Sequence, residues 1–133
     1  MFSRKKQPPI KSLIAQGTRV QGDVQFSEGL RIDGEVVGEV RAAPDVPSIL
    51  VVSESGRVEG ALHAAHVIIN GAVEGPVHAA ELLELQPKAR ITGAVHYKAL
   101  EMHQGATITG QMSPTAVPLL EEKPTLKLAS NAS

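Results

Sequence analysis

A short motif, apolar-x-Gly-x-apolar, recurs six times along the chain and constrains its fold more than any other feature. Its glycines are Gly22, Gly38, Gly60, Gly75, Gly93 and Gly110, so successive copies are 16, 22, 15, 18 and 17 residues apart. The flanking apolar pairs are Val20/Val24, Val36/Val40, Val58/Leu62, Val73/Val77, Ile91/Val95 and Ile108/Met112. Repetition at this period is the signature of a solenoid, in which each unit stacks on the one before it.

The residues around the motif alternate with a period of two. Residues 67–77 carry an apolar residue or glycine at every odd position. This pattern is typical of strands with one buried face and one solvent-exposed face. Each unit is too short for a strand–helix crossover, so strands of successive units must stack in parallel. The sequence therefore predicts an all-β fold, a parallel β-helix of about six rungs over residues 13–112, roughly 29 Å long at the usual strand spacing.

The uneven spacing of the motif favours a right-handed β-helix. Left-handed β-helices are built from a repeated hexapeptide, which gives about 18 residues per turn. The spacing of the motif in this chain varies and does not follow a six-residue repeat. Right-handed crossovers are also the general preference of parallel strands. Only three residues are aromatic, so the interior must be built from small aliphatic side chains. The central glycine of each motif is either a tight corner or a small inward-facing residue, and the sequence leaves both open.

Three segments fall outside this pattern. Residues 42–48 contain two prolines and are predicted to form an exposed loop. Residues 113–133 contain three more prolines and are predicted to be a disordered tail. Residues 1–12 are predicted to be a disordered basic tail, which is either plain solvated chain or a weak membrane-binding peptide that needs many copies. Its candidate membrane-binding residues are Met1, Phe2, Arg4, Lys5 and Lys6.

The ends of the predicted solenoid are its candidate functional surface. Soluble repeat proteins normally cap their end units, and no capping helix is apparent beyond either terminal rung. The predicted polymer interface is formed by Ile14, Val20, Val24, Ile108 and Met112. Two such ends on one rod give an open filament. The alternative is that the tails cover the ends, which would leave a non-polymerising β-helical binding or adaptor module.

Other chemistry finds little support in the sequence. His63, His78 and His96 share one column of the predicted surface, but three imidazoles on a straight line do not converge on one metal ion. Enzymes built on β-helices need hexapeptide-bound histidines or long acidic loops, and nucleotide hydrolysis needs a glycine loop before a helix. We therefore predict no enzyme activity, no catalytic residue, no metal site and no cofactor. A net charge of −1 gives no general attraction to nucleic acid.

With six aliphatic rungs, the repeated glycine motif and short tails, the chain resembles the bactofilins, a bacterial polymer-forming cytoskeletal family. The resemblance covers about residues 13–112, and residues 1–6 resemble the membrane-targeting peptide of many members. It implies nucleotide-independent, nonpolar filaments joined through like ends at the inner face of the cytoplasmic membrane. It also implies a scaffold for partners such as cell-wall enzymes, serving cell shape. The chain departs from the family in the insertion at 42–48 and in lacking an aromatic residue on its last rung.

Overall fold

The computed structural model describes residues 9–114, and all its regular elements are β-strands. In chain order they are β1 (Ser12–Ile14), β2 (Arg19–Gln21), β3 (Val24–Phe26), β4 (Glu28–Ile32), β5 (Glu35–Val37), β6 (Val40–Ala42), β7 (Ser48–Val52), β8 (Arg57–Glu59), β9 (Leu62–Ile69), β10 (Ala72–Glu74), β11 (Val77–Leu85), β12 (Arg90–Thr92), β13 (Val95–Met102), β14 (Thr107–Thr109) and β15 (Met112–Pro114). No helix in this range is long and apolar enough to cross a membrane.

The strands form three faces of a parallel solenoid with six rungs. The first face contains β1, β4, β7 and the second halves of β9, β11 and β13. The second face is the six-stranded sheet β2-β5-β8-β10-β12-β14. The third face contains β3, β6, the first halves of β9, β11 and β13, and finally β15. Every pairing is parallel, so the predicted β-helix of six rungs is confirmed.

The core is a set of aliphatic columns that run along the solenoid axis. On the second face, Val36, Val58 and Val73 lie in register one above another, and none of their surface is exposed. The same holds for Val40, Leu62, Val77 and Val95 on the third face. Alternation along each short strand turns every second side chain into this interior. The repeated apolar positions of the sequence are therefore the stacked core.

The structure identifies the motif glycines as tight corners between the second and third faces. Each has a positive φ, 144° at Gly75 and 150° at Gly60, which side chains rarely tolerate. The backbone ladder continues through the corner, since the Gly60 N–H donates to the Glu74 carbonyl and the Gly75 N–H to the Thr92 carbonyl. A Cβ on Gly75 would collide with the backbone of Gly60 in the rung below. Glycine is thus required by both conformation and close approach.

The insertion forms a shorter loop than the sequence predicts. Only residues 43–47 leave the strands, because Ala42 ends β6 and Ser48 begins β7. Ser48 is buried, and its hydroxyl accepts a hydrogen bond of 2.9 Å from the Ala65 N–H. The prediction of an exposed loop is therefore wrong for Ser48 and correct for Val46, which is 44% exposed. A buried hydroxyl with a backbone partner costs little, which allows a polar residue here.

Candidate functional site

The two terminal rungs expose the same columns that are buried in the middle of the solenoid. On the second face, Val20 and Ile108 are half-buried at the ends of a column whose inner members are 0–1% exposed. Their extra exposure has one physical cause, the absence of a further rung in the described chain. Each end therefore presents apolar surface of the shape and spacing that another rung would cover.

The C-terminal rung is the more exposed of the two apolar ends. Ile108 is half-buried against the core, and Met112 is 43% exposed. Met102, which the predicted interface omits, is 45% exposed and continues the Ile69–Leu85 column of the first face. The signal was present in the sequence, since Leu83/Leu85 and Leu100/Met102 alternate in the same way. Leu100 of the same strand packs against the core, so the apolar end includes all three faces of the solenoid instead of two.

The N-terminal rung places the three predicted interface residues Ile14, Val20 and Val24 one on each face. All three are half-buried and pack on the core from one side only. The backbone also has a direction at the glycine corners. Each glycine N–H donates toward the following rung, as from Gly22 to Val37 and from Gly93 to Thr109. Gly110 lies on the last rung, so its N–H points beyond the described solenoid.

The predicted membrane-binding residues Met1, Phe2, Arg4, Lys5 and Lys6 lie outside the described residues, as does most of the predicted tail 113–133. The chain joins the solenoid at its N-terminal rung, where the Lys11 N–H donates to the Gly29 carbonyl at 3.2 Å. Ile10, just before it, is 47% exposed. The described residues therefore begin at the N-terminal rung of the solenoid.

The histidine column runs along the outside of the third face. His63, His78 and His96 pair in register on successive rungs. Their rings stack in parallel, with centroids 4.5 and 4.6 Å apart and interplanar angles of 4° and 2°. At one end of the column, His63 Nε2 lies 2.9 Å from a carboxylate oxygen of Glu39. The predicted column is thus formed, and its nitrogen atoms are displayed side by side instead of converging.

Partial burial lowers the pKa of two histidines in this column. For His63, desolvation is the main cause, followed by the charge of Arg41, while the Glu39 carboxylate opposes both. For His78, desolvation is again first, followed by repulsion from His63, His96 and Arg41, and Glu39 again acts in the opposite direction. Stacked imidazoles resist protonation because two neighbouring positive charges would lie one rung apart.

The column should make stability depend on pH. A lowered pKa means that the folded chain binds fewer protons than the unfolded chain, whose imidazoles titrate near 6.5. The contribution is therefore fully present above pH 6.5 and is lost as pH falls through the lowered pKa values. We expect the thermal midpoint of the wild type to drop between pH 7.5 and pH 5, and this drop to be smaller in His78→Gln. Equal drops in the two proteins would show that the column does not contribute.

The groove beside the histidine column offers little for catalysis. It lies between the loop 43–47 and alanines of β9 and β11, and Asp45 is the one carboxylate among its lining residues. Ser48 is the one hydroxyl among these lining residues, and it is buried and accepts a hydrogen bond from the Ala65 N–H. The lining residues therefore place no exposed nucleophile beside a stacked imidazole. In the described chain, the features best suited to a function are therefore the apolar end rungs.

Comparisons with known proteins show which family the chain belongs to. A family profile described as "Bactofilin: Polymer-forming cytoskeletal" matches residues 12–113. Among solved structures, the chain is similar to a bactofilin from Thermus thermophilus, determined by cryo-electron microscopy as double helical filaments. The two share 35% sequence identity with a TM-score of 0.61, and the match covers 71% of this chain and 90% of the other. Among curated proteins, no sequence matches the chain.

Proposed function

Because the chain belongs to the bactofilins, a family of polymer-forming cytoskeletal proteins, we propose that it assembles end to end into nonpolar filaments without nucleotide. The observation that carries this proposal is the partial exposure of Ile14, Val20, Val24, Ile108 and Met112 at the two ends of otherwise buried columns. The family is structural, and the proposed role of this chain is likewise assembly instead of catalysis.

Stacking of like rungs gives the contact its specificity. Strand addition at an open rung supplies backbone hydrogen bonds, and the apolar columns supply the burial that holds the two ends together. A rod with such a contact at each end cannot close on itself and grows into an open filament. Since the Thermus relative forms double helical filaments, we extend the proposal to two such filaments wound together.

Electron microscopy tests the proposal directly. Purified full-length protein, negatively stained without added nucleotide, is expected to form unbranched filaments a few nanometres wide. Addition of nucleotide should leave their number and length unchanged, since residues 9–114 contain no glycine-rich loop before a helix that could bind its phosphates. Uniform small particles would overturn the proposal and favour the non-polymerising adaptor module.

We further propose that residues 1–6 attach the filament to the inner face of the cytoplasmic membrane, where it positions partners such as cell-wall enzymes. Phe2 can enter the lipid interface, and Arg4, Lys5 and Lys6 each contribute about 1 kcal/mol near an anionic surface. This is weak for one chain. A filament repeats the peptide at every subunit, and such multivalency strengthens binding greatly without any new contact.

Deletion of residues 2–6 is expected to release the protein from phosphatidylglycerol vesicles in a flotation assay while leaving filaments intact. The matched control replaces Lys123 and Lys127 with alanine, which removes cations from the other tail. This control should float like the wild type, and neither protein should float with neutral phosphatidylcholine. Unchanged flotation of the deletion variant would contradict the membrane role of residues 1–6.

A further inference from the structure

Three potential metal ligands meet on the outside of the first face, where its last two rungs pair. Glu84 of β11 and Glu101 of β13 are direct partners in the parallel register. His103 follows Glu101 by two residues, and its N–H still donates to the Leu85 carbonyl just beyond the end of β13, so the alternation of the strand turns it to the same side. The ligand atoms of the three side chains all lie within 4.8 Å of one another, and His103 Nε2 is 3.4 Å from Glu84 Oε2.

Glu84 and Glu101 carry like charges on adjacent rungs and therefore repel each other. A second pair of stacked carboxylates shows how a cation can offset this repulsion in the same solenoid. Glu59 and Glu74 also lie directly opposite each other on adjacent rungs. The guanidinium of Arg57 lies between them, 3.3 Å from Glu59 and 3.2 Å from Glu74. Like charges placed opposite each other in a sheet destabilise it, and here one cation serves both.

Within residues 9–114, the pair Glu84–Glu101 has no such guanidinium or ammonium. Among the ion pairs of the described residues, none joins either carboxylate to a lysine or an arginine, and the basic partner of Glu84 is His103. Gln86 adds a neutral hydrogen bond of 3.4 Å from its amide nitrogen to Glu84. An imidazole beside two carboxylates replaces the bridging arginine with a nitrogen donor, which is a ligand set for a metal ion.

We propose that Glu84, Glu101 and His103 bind one divalent transition-metal ion of the zinc type. Zinc takes carboxylate oxygen and imidazole nitrogen at about 2.0–2.2 Å, and water completes a tetrahedral site with three protein ligands. Such a site places its ligand atoms about 3.4 Å apart. Glu101 and His103 are exposed, so rotation of their side chains can bring the present separations to this value. Magnesium and calcium, which require six or more oxygen ligands, fit this set poorly.

The proposed metal site joins two rungs of one chain, and the proposal does not require that the chain forms filaments. Its ligands come from the fifth rung and the sixth, which is the last rung of the described solenoid. An ion that binds only the folded chain stabilises it. Here the stabilised part is the last rung, which has a neighbouring rung on one side only. Met102 lies between the two ligands Glu101 and His103. It continues the interior column of Leu85 and is exposed because it is at the end of the solenoid. Metal binding would therefore hold the backbone of the terminal rung in place.

Equilibrium dialysis of the full-length protein against zinc chloride at pH 7.5, followed by elemental analysis, tests the site. We expect one zinc ion per chain in the wild type, and its loss in Glu101→Gln and in His103→Gln. His63→Gln is the matched control, because His63 also lies 2.9 Å from a carboxylate, that of Glu39, but is not part of a convergent group of three. It should retain the ion. Excess magnesium should leave zinc binding unchanged.

Thermal unfolding provides a second readout and a check on folding. Zinc should raise the midpoint of the wild type and of His63→Gln but not that of His103→Gln. Without zinc, Glu101→Gln should be at least as stable as the wild type, since one of two stacked charges is gone. Wild type that binds no zinc would overturn the proposal. So would zinc binding that survives in His103→Gln or disappears in His63→Gln, since this would indicate adventitious association with surface histidines.

Discussion

Replacement of Gly75 by alanine is expected to unfold most of the solenoid, whereas the same replacement at Gly22 should leave it folded. Both glycines occupy the same corner of the repeat with positive φ, 144° and 126°, so both variants carry backbone strain of about 1–3 kcal/mol. The two glycines differ in how closely the backbone of the preceding rung approaches them. A Cβ at Gly75 meets the carbonyl group of Gly60, with its carbon at 2.7 Å, while a Cβ at Gly22 has no atom within 4 Å.

The difference between these two variants isolates the close stacking of rungs. The Gly60 carbonyl is backbone and cannot rotate away, so the rungs themselves must separate and the hydrogen bonds around them lengthen. We expect a loss of more than about 4 kcal/mol for Gly75→Ala, which is a large fraction of the stability of a single domain. Urea titration followed by circular dichroism measures both variants. Similar midpoints would show that rung contact at the corner is unimportant.

Ile108→Arg is expected to fold normally and to abolish filaments. Ile108 is at the edge of the last rung, so the longer side chain can reach solvent in the free protein. In an end-to-end contact the same guanidinium would be buried among apolar columns without a partner, which costs several kcal/mol. Thr109→Arg is the matched control, because Thr109 is exposed on the outer side of the same strand. It adds the same charge and should leave filaments intact.

The oligomeric state of variants that no longer form filaments also shows whether the filament is polar. If like ends join, blocking the C-terminal rung leaves the N-terminal rungs free to pair, and Ile108→Arg should sediment as a dimer. Val20→Arg should then give the other dimer, joined through its C-terminal rungs. If unlike ends join, either variant removes one half of the single contact and both should be monomers. Wild-type filaments in both variants would show that the terminal rungs are not the interface.

Most of the fold could be predicted from the sequence because a solenoid repeats its local structure. The same alternation that buries Val73 also buries Val58 and Ile91, so the six motifs define the columns without long-range information. The histidine column was predictable for the same reason. His63, His78 and His96 each lie at a fixed distance from a motif glycine, and the tight glycine corner keeps that distance constant in space.

The complete ligand group on the first face could not be found in this way. The turn between the first and second faces has two residues after Ile69 but four after Val52 and four after Leu85. Position relative to the preceding glycine therefore changes from rung to rung, and β11 adds a register shift between Ala79 and Leu82. Counted from the following glycine, however, Glu84 and Glu101 both lie nine residues before it. The pairing of Glu84 with Glu101 could therefore be predicted from the sequence, whereas the approach of His103, which lies beyond the end of β13, follows only from the structure.

The sequence by itself determined the repeat, the number of rungs, the aliphatic interior and the resemblance to a polymer-forming family. It did so because each of these depends on contacts between equivalent residues of adjacent units. Only the tertiary structure decided that the glycines are corners and that Ser48 is buried. These properties depend on backbone angles, on turn lengths and on the hydrogen bond that Ser48 accepts from the next rung. None of those is encoded in the alternation of apolar and polar residues.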